Sequence, residues 1–237
     1  MQTKYLVLWL EAPLMSYGDG KCLYVRKTLS FPTRGALWGL VFSAAGWQNE
    51  QRERLAAIRD LPVTVYGYKT EGSVLSDYQI MGGGWDTHDP WQERMVPHKS
   101  DGKAVTGTEP TRPLVKQYLQ DSVFAAILPF PSSWEGEIRA ACASPRDVLS
   151  IGRKACVPTI PVLQGVADTF EDAVSILSQV EEKRNSVSDA PVQRQRVYEE
   201  TKDFRKARWR LQDVPLAFRP AYEYGWRYVT VRPAAAL

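Results

Sequence analysis

The adjacent residues His98 and Lys99 form the combination in this sequence best suited to acid–base chemistry. A histidine exchanges protons near neutral pH, and a neighbouring lysine can stabilise the charge on a phosphate. Cleavage of RNA at such a site needs no metal, because the ribose 2′-hydroxyl is itself the nucleophile. The pair lies in a glycine-rich segment, where a solvated loop is the more ordinary interpretation. The sequence alone therefore predicts no catalytic site here, and an RNA-cleaving one stays the alternative.

Other catalytic signatures are absent from the sequence. It contains no phosphate-binding loop, no Gly-x-Ser-x-Gly and no His-Glu-x-x-His. The run Gly82-Gly83-Gly84 lacks the following lysine of a phosphate-binding loop, so we interpret it as a flexible turn. With three separated cysteines and two histidines, a zinc site is a weak hypothesis. We expect no metal ion and no cofactor.

The charge of the chain is concentrated in three windows. The formal net charge is only +3. Residues 21–34, 146–154 and 194–210 contribute +4, +2 and +4, that is +10 together, which leaves −7 for the rest. Aromatic residues are interleaved with the basic ones in the first and third windows, so these windows could bind phosphates and stack on unpaired bases. A solvated charged face above an aromatic core is the equally open alternative.

The predicted elements follow the order of an α+β domain. Tyr5–Leu10 predicts a buried first strand. The apolar run Arg34–Ala45 predicts a buried helix, with Ser30 and Thr33 as the two possible N-caps and Gly46 as the C-terminal stop. The next elements are predicted as a helix, a two-stranded hairpin, a strand and another helix: Glu50–Arg59, Leu61–Lys69 with Val74–Met81, Ser122–Leu128, and Pro131–Ala143. This is the order of a ferredoxin-like split β-α-β domain.

The chain changes character at two places after these elements begin. Residues 82–113 are rich in glycine and proline without a sustained period, and segments of this length are usually functional or disordered. After Pro145 a loop-like run follows, then a predicted helix at Thr169–Lys183 and a strand at Trp226–Val231. We therefore predict one domain at residues 1–145 and a second at 146–237.

The composition is that of a globular protein, with 44% hydrophobic and 24% charged residues. The apolar run Tyr5–Leu10 is too short for a signal peptide, and no run reaches the ~20 residues of a membrane span. From these patterns we expect a cytoplasmic protein without a membrane partner.

Four segments together resemble the CasD family, which is the fifth CRISPR-associated protein family in its subtype I-E form. They occur in the family's order over about residues 5–165. The segments are Leu8-Trp-Leu-Glu-Ala-Pro-Leu-Met-Ser-Tyr-Gly, Ser30-Phe-Pro-Thr-Arg-Gly-Ala-Leu-Trp-Gly-Leu, Ser76-Asp-Tyr-Gln, and Leu149-Ser-Ile-Gly-Arg-Lys-Ala-Cys-Val-Pro.

The resemblance implies a subunit of Cascade, the RNA-guided surveillance complex. It implies a ferredoxin-like domain of the RAMP (RRM-like) type, with an inserted β-rich thumb and a smaller C-terminal domain. The expected partners are the 5′ handle of the CRISPR RNA, the backbone subunit CasC, the large subunit CasA and, through the complex, target DNA. The thumb would occupy about residues 82–113 and contain Gly82, Gly83, Gly84, Trp85, His98 and Lys99.

The resemblance also implies which residues bind RNA. In this reading arginines contact phosphates, and a glycine permits close approach of the RNA backbone. Gln79 stands where the family has a histidine-like position. The implied RNA-binding residues are Arg26, Phe31, Thr33, Arg34, Tyr78, Gly152, Arg153 and Lys154.

The resemblance favours a non-catalytic protein, because in type I-E systems a separate subunit, CasE, usually cuts the precursor RNA. Related proteins of subtype I-C cut precursor RNA with a set of Tyr, Lys and His residues, and His98 and Lys99 could supply two of the three. A metal-independent endoribonuclease that uses His98 and Lys99 is therefore the alternative. The partner of the basic window 194–210 is left open.

Overall fold

The computed structural model describes residues 2–18, 24–47, 51–69, 73–81, 100, 101, 103, 112–218 and 221–234. The strands and helices of this part are, in chain order, β1 Thr3–Glu11, β2 Leu14–Met15, β3 Val25–Arg26, α1 Arg34–Ala45, α2 Gln51–Ile58, β4 Thr64–Lys69, β5 Val74–Met81, β6 Arg112–Gln120, β7 Val123–Pro131, α3 Glu135–Ala143, β8 Leu163–Ala167, α4 Phe170–Ser186, β9 Arg196–Thr201, β10 Trp209–Ala217 and β11 Glu223–Pro233.

A seven-stranded sheet in the order β10-β11-β9-β4-β7-β1-β8 forms the centre of the fold, and its neighbouring strands are antiparallel. Successive side chains of a strand point to opposite faces. Leu6 and Leu8 of β1 accordingly pack in the cluster that contains residues of α1, α2 and α3, whereas Val7 and Trp9 pack in the cluster that contains residues of α4. Because helices cover both faces, β1 and β7 are apolar without alternation, as their sequences predicted.

Helix α1 forms as predicted, and of the two possible N-caps Thr33, not Ser30, is the one that caps it. The Thr33 hydroxyl oxygen accepts a hydrogen bond from the Ala36 N–H at 3.2 Å, which satisfies one of the free donors of the first turn. Gly46 ends the helix with φ +68°, the left-handed conformation that glycine adopts without strain. Leu37, Trp38 and Val41 are fully buried, so the helix is anchored by packing as well as by its caps.

The predicted hairpin of residues 61–69 with 74–81 is wrong. Strand β4 pairs with β7 and β9 in the main sheet, so neither of its edges is free for β5. Strand β5 instead pairs with β6, in register from Val74 opposite Leu119 to Met81 opposite Arg112. This β5–β6 ribbon belongs to a second, small sheet that also contains β2 and β3.

The segment predicted as the thumb, about residues 82–113, follows β5, and its last two residues, Arg112 and Pro113, already belong to β6. Its named residues, which are Gly82, Gly83, Gly84, Trp85, His98 and Lys99, lie outside the described residues. The predicted thumb and its contacts therefore stay predictions.

The sheet extends across the predicted domain boundary. Strand β8 pairs with β1, and β9 pairs with β4, so strands from residues 146–237 flank both sides of the strands from residues 1–145. A boundary near residue 145 would thus divide one continuous sheet.

None of the helices in the described part of the chain is both long enough and apolar enough to cross a membrane.

Candidate nucleic-acid interface

The loop from Ile151 to Cys156 closes on itself and packs against Ser16. The Ile151 N–H donates to the Cys156 carbonyl at 2.8 Å, and the Cys156 N–H donates to the Arg153 carbonyl at 2.8 Å. Gly152 has φ +104°, and a Cβ at this position would stand 1.9 Å from the Ser16 carbonyl oxygen. Only glycine fits here, because both the backbone conformation and the contact exclude a side chain. We call residues 151–156 the Gly152 loop.

Arg153 connects this loop to the small sheet. Its Nη1 donates to the Gln117 carbonyl of β6 at 2.6 Å, and its Nη2 donates to the Arg26 carbonyl of β3 at 2.9 Å. The guanidinium also lies over the Tyr118 ring, 4.7 Å from its centroid. A guanidinium has five N–H donors, so these two bonds leave others for an anion. Arg153 therefore fixes the loop against β3 and keeps donors to spare.

Exposed cations surround this junction. The side chains of Arg26 and Lys27, beside the loop's contact on β3, are exposed, and so is that of Lys154 within the loop. Arg26 of the first basic window and Arg153 of the second are 127 residues apart in sequence, but a hydrogen bond joins them directly. The junction therefore presents positive charge around a rigid loop.

An open groove of about 1020 Å³ adjoins the Gly152 loop. Gly152 and Arg153 line it together with one side of α1, which contributes small residues such as Gly39. The β10–β11 ribbon lines it with Arg210 and Trp226. The groove thus combines a small-residue surface with basic and aromatic side chains.

Arg34 does not contribute to this surface. Its guanidinium belongs to a side chain only 1% exposed, and its Nη1 donates to both oxygens of Glu200 at 2.8 and 2.9 Å. Its Nη2 donates to the carbonyls of Ile58, Arg59 and Leu61. Burial lowers the pKa of Arg34, against the attraction of Glu200. The expected contact of Arg34 with a phosphate is therefore corrected: this arginine supports the fold instead.

Arg34 belongs to a buried network that joins α1 to the sheet. Its backbone N–H donates to Asp213 Oδ2 at 2.8 Å, and Arg227 pairs with Asp213 at 2.6 Å and with Glu200 at 3.2 Å. Two arginines thus share two carboxylates at the N-terminus of α1. The network fixes α1 relative to the β10–β11 ribbon. Helix α1 lines one side of the groove, and the ribbon lines the other.

Two further predicted contacts are also inside the protein. Phe31 is 1% exposed and stacks on Tyr198, with ring centroids 4.5 Å apart. Thr33 is buried as the cap of α1. Phe31 offers no exposed surface to RNA because core packing occupies its ring, whereas Thr33 caps α1 and also lines the groove. Tyr78, in contrast, is exposed on β5.

Aromatic residues on β11 and just before it were missed by the sequence predictions. Tyr222, Tyr224 and Trp226 line the groove, and Tyr222 and Trp226 are exposed. Their spacing of two residues is the signal that could have found them, since alternate residues of a strand share a face. The sequence predictions considered the aromatic residues of the basic windows and, from the family resemblance, Tyr78 and Trp85, but none on β11.

The fold and groove define a mixed α/β protein built on a large antiparallel sheet, with an open basic and aromatic groove. The family model described as CRISPR-associated protein (Cas_Cas5) matches residues 5–230. The chain belongs to this family, and the resemblance found in the sequence is confirmed. A curated relative is the CRISPR system Cascade subunit CasD of Escherichia coli (strain K12). It is 25% identical over 178 residues, which are 73% of this chain and 76% of the relative.

Two solved structures share the fold. A chain of a "CRISPR RNA-guided surveillance complex" superposes with a TM-score of 0.71 at 24% identity, covering 97% of this chain and 90% of that one. A "Crystal structure of Cas protein" gives a TM-score of 0.58 at 18% identity, covering 97% and 94%. The likeness extends over the whole described fold, including the strands after residue 145.

Proposed function

We propose that this protein is a non-catalytic Cascade subunit that binds the 5′ handle of a CRISPR RNA at the Gly152 loop and its groove. The similarity to the CasD subunit supports the place in Cascade. The observation that carries the RNA site is the junction at Arg153, which joins the Gly152 loop to β3 beside the exposed cations Arg26 and Lys154. A rigid loop with spare donors suits an RNA backbone, whose phosphates dominate affinity.

We also propose a ferredoxin-like core of the RAMP type. The sheet order β8-β1-β7-β4 supports it, because these neighbouring strands are antiparallel. In the chain, α1 comes after β1 and α3 comes after β7, as the two helices of a split β-α-β domain do. Residues 82–113 would form the thumb, which extends from the β5–β6 ribbon toward the backbone subunit CasC. CasA and target DNA would be reached through the assembled complex in the cytoplasm.

The first test measures RNA affinity as a function of salt. Replacing both Arg26 and Lys154 with alanine is expected to weaken binding of the handle RNA. Each phosphate contact on a single strand contributes about −0.7 to the slope of log affinity against log salt, so the slope of the double variant should be less negative by about 1.4. Fluorescence anisotropy with labelled RNA over a salt series gives both quantities.

Lys183→Ala is the matched control for this pair. Lys183 is an exposed lysine of α4, which packs on the sheet face opposite to α1. We expect its affinity and salt slope to equal those of the wild type. If the Arg26/Lys154 variant and the wild type share one slope, the junction does not bind phosphates.

The second test addresses the endoribonuclease alternative. Purified protein incubated with repeat RNA in EDTA is expected to leave the RNA intact, because we assign the protein a binding role only. Gel analysis of the RNA gives the result. Specific cleavage that His98→Ala abolishes would replace our proposal with the alternative.

A further inference from the structure

The β10–β11 side of the groove carries a row of aromatic rings. Tyr222 is 69% exposed and Trp226 is 55% exposed, and both line the groove with Tyr224 between them in the sequence. The rings of Tyr222 and Tyr224 are parallel, with centroids 6.3 Å apart. Exposed rings in a row cost solvation free energy, so a surface of this kind is typical of a binding site.

Arg210 orders the Trp226 end of this row. Its guanidinium carbon lies 4.4 Å from the centroid of the Trp226 ring, within the range of a cation–π interaction. The arginine covers part of one ring face, and the 55% exposure of Trp226 leaves other ring surface open. A base stacked on the open surface of Trp226 would therefore lie near a guanidinium that is able to contact a phosphate.

The charges around the row favour an anionic ligand. Asp213 is paired with Arg227, and Glu223 is paired with Arg52. Asp147, which also lines the groove, accepts a hydrogen bond from the Ser43 hydroxyl. Arg210 and Arg153 line the same groove. Because two of the nearby carboxylates are neutralised by other arginines, the arginines of the groove can attract a polyanion.

We propose that Tyr222 and Trp226 form a stacking site for unpaired nucleobases, with Arg210 contacting the phosphate of a stacked nucleotide. This inference rests on the proposed RNA-binding function and extends it: the groove holds bases as well as phosphates. Every base has a flat face, so such a site reads single-strandedness rather than sequence. A duplex hides these faces within its own stack, and the site therefore selects unpaired RNA.

The test varies both the protein and the RNA. The full chain is titrated with handle RNA and with the same RNA in which abasic nucleotides replace the bases. The wild type should bind the intact RNA more tightly than the abasic RNA. Trp226→Ala should lower the affinity for the intact RNA by at least about fivefold but leave the affinity for the abasic RNA unchanged. Trp226→Phe, which keeps a ring, should restore most of the preference.

Phe204→Ala is the matched control. Phe204 is also an exposed aromatic residue with an arginine over its ring, but it does not line the groove. We expect this variant to bind both RNAs like the wild type, and a thermal melt should show that all variants fold. The site would be overturned if Phe204→Ala and Trp226→Ala lost equal affinity for the intact RNA. It would also be overturned if Trp226→Ala lost equal affinity for the intact and the abasic RNA.

Two further outcomes are distinguishable. If Trp226→Ala binds both RNAs like the wild type but fails to join the complex, the row is a protein interface and the inference is wrong. If the wild type binds neither RNA, the proposed function itself fails. A wild type that binds both RNAs equally retains the proposed function and overturns only base stacking.

Discussion

Arg34→Met is expected to lower the free energy of unfolding by about 3–5 kcal/mol, which is the range for breaking a buried ion pair on one side. The methionine keeps the apolar stem but removes the guanidinium. Glu200 then loses its bidentate partner, and the carbonyls of Ile58, Arg59 and Leu61 lose their shared donor. Urea unfolding followed by circular dichroism measures the change.

The control for this variant is Arg232→Met. Arg232 also pairs with a glutamate, Glu199, at 2.9 Å, but its side chain is exposed. Exposed pairs contribute about 1 kcal/mol or less, so this variant should unfold almost like the wild type. If Arg34→Met were as stable as Arg232→Met, the buried network would not anchor α1, and a direct RNA role for Arg34 would return.

Gly152→Ala is expected to have the second large effect, on both stability and RNA binding. A left-handed conformation costs a non-glycine residue about 1–3 kcal/mol, and the new methyl group would also meet the Ser16 carbonyl. The Gly152 loop must then move away from Ser16, and Arg153 moves with it. We expect a lower unfolding midpoint and a loss of RNA affinity at least as large as that of the Arg26/Lys154 variant.

Cysteine labelling gives a direct measure of this movement. Cys156 is fully buried at the end of the loop, and burial raises the pKa of its thiol. Mass spectrometry should therefore find Cys156 labelled much faster in the Gly152 variant than in the wild type. Gly136→Ala is the control, because a Cβ at Gly136 in α3 meets nothing within 4 Å. Equal labelling of all three proteins would contradict a displaced loop.

The sequence predicted local features of the fold well. The caps of α1 were found because Thr33 and Gly46 act on neighbours within four residues. The strand at 5–10 and the helix at 169–183 were found from their apolar patterns. These features depend on short stretches of chain, which a single sequence displays directly.

Features that depend on distant pairing could not be predicted in the same way. Asp213 accepts from the backbone of Arg34 across 179 residues, and no local pattern marks that pair. The two neighbouring predicted strands at 61–69 and 74–81 suggested a hairpin, but β7 and β9 pair with β4 instead. Gly152 was expected to admit the RNA backbone, whereas the structure shows the close neighbour to be Ser16.

The register of the β5–β6 ribbon has a consequence for engineering and evolution. Met81 and Arg112 face each other as paired residues, so the chain leaves the ribbon and returns to it at adjacent points, about 5 Å apart. A change in the length or sequence of the thirty residues between them would therefore leave the spacing of these two strand ends unchanged. The β5–β6 ribbon can therefore carry insertions of different length and sequence at this end. The strand pairing of the small sheet would be the same with each of them.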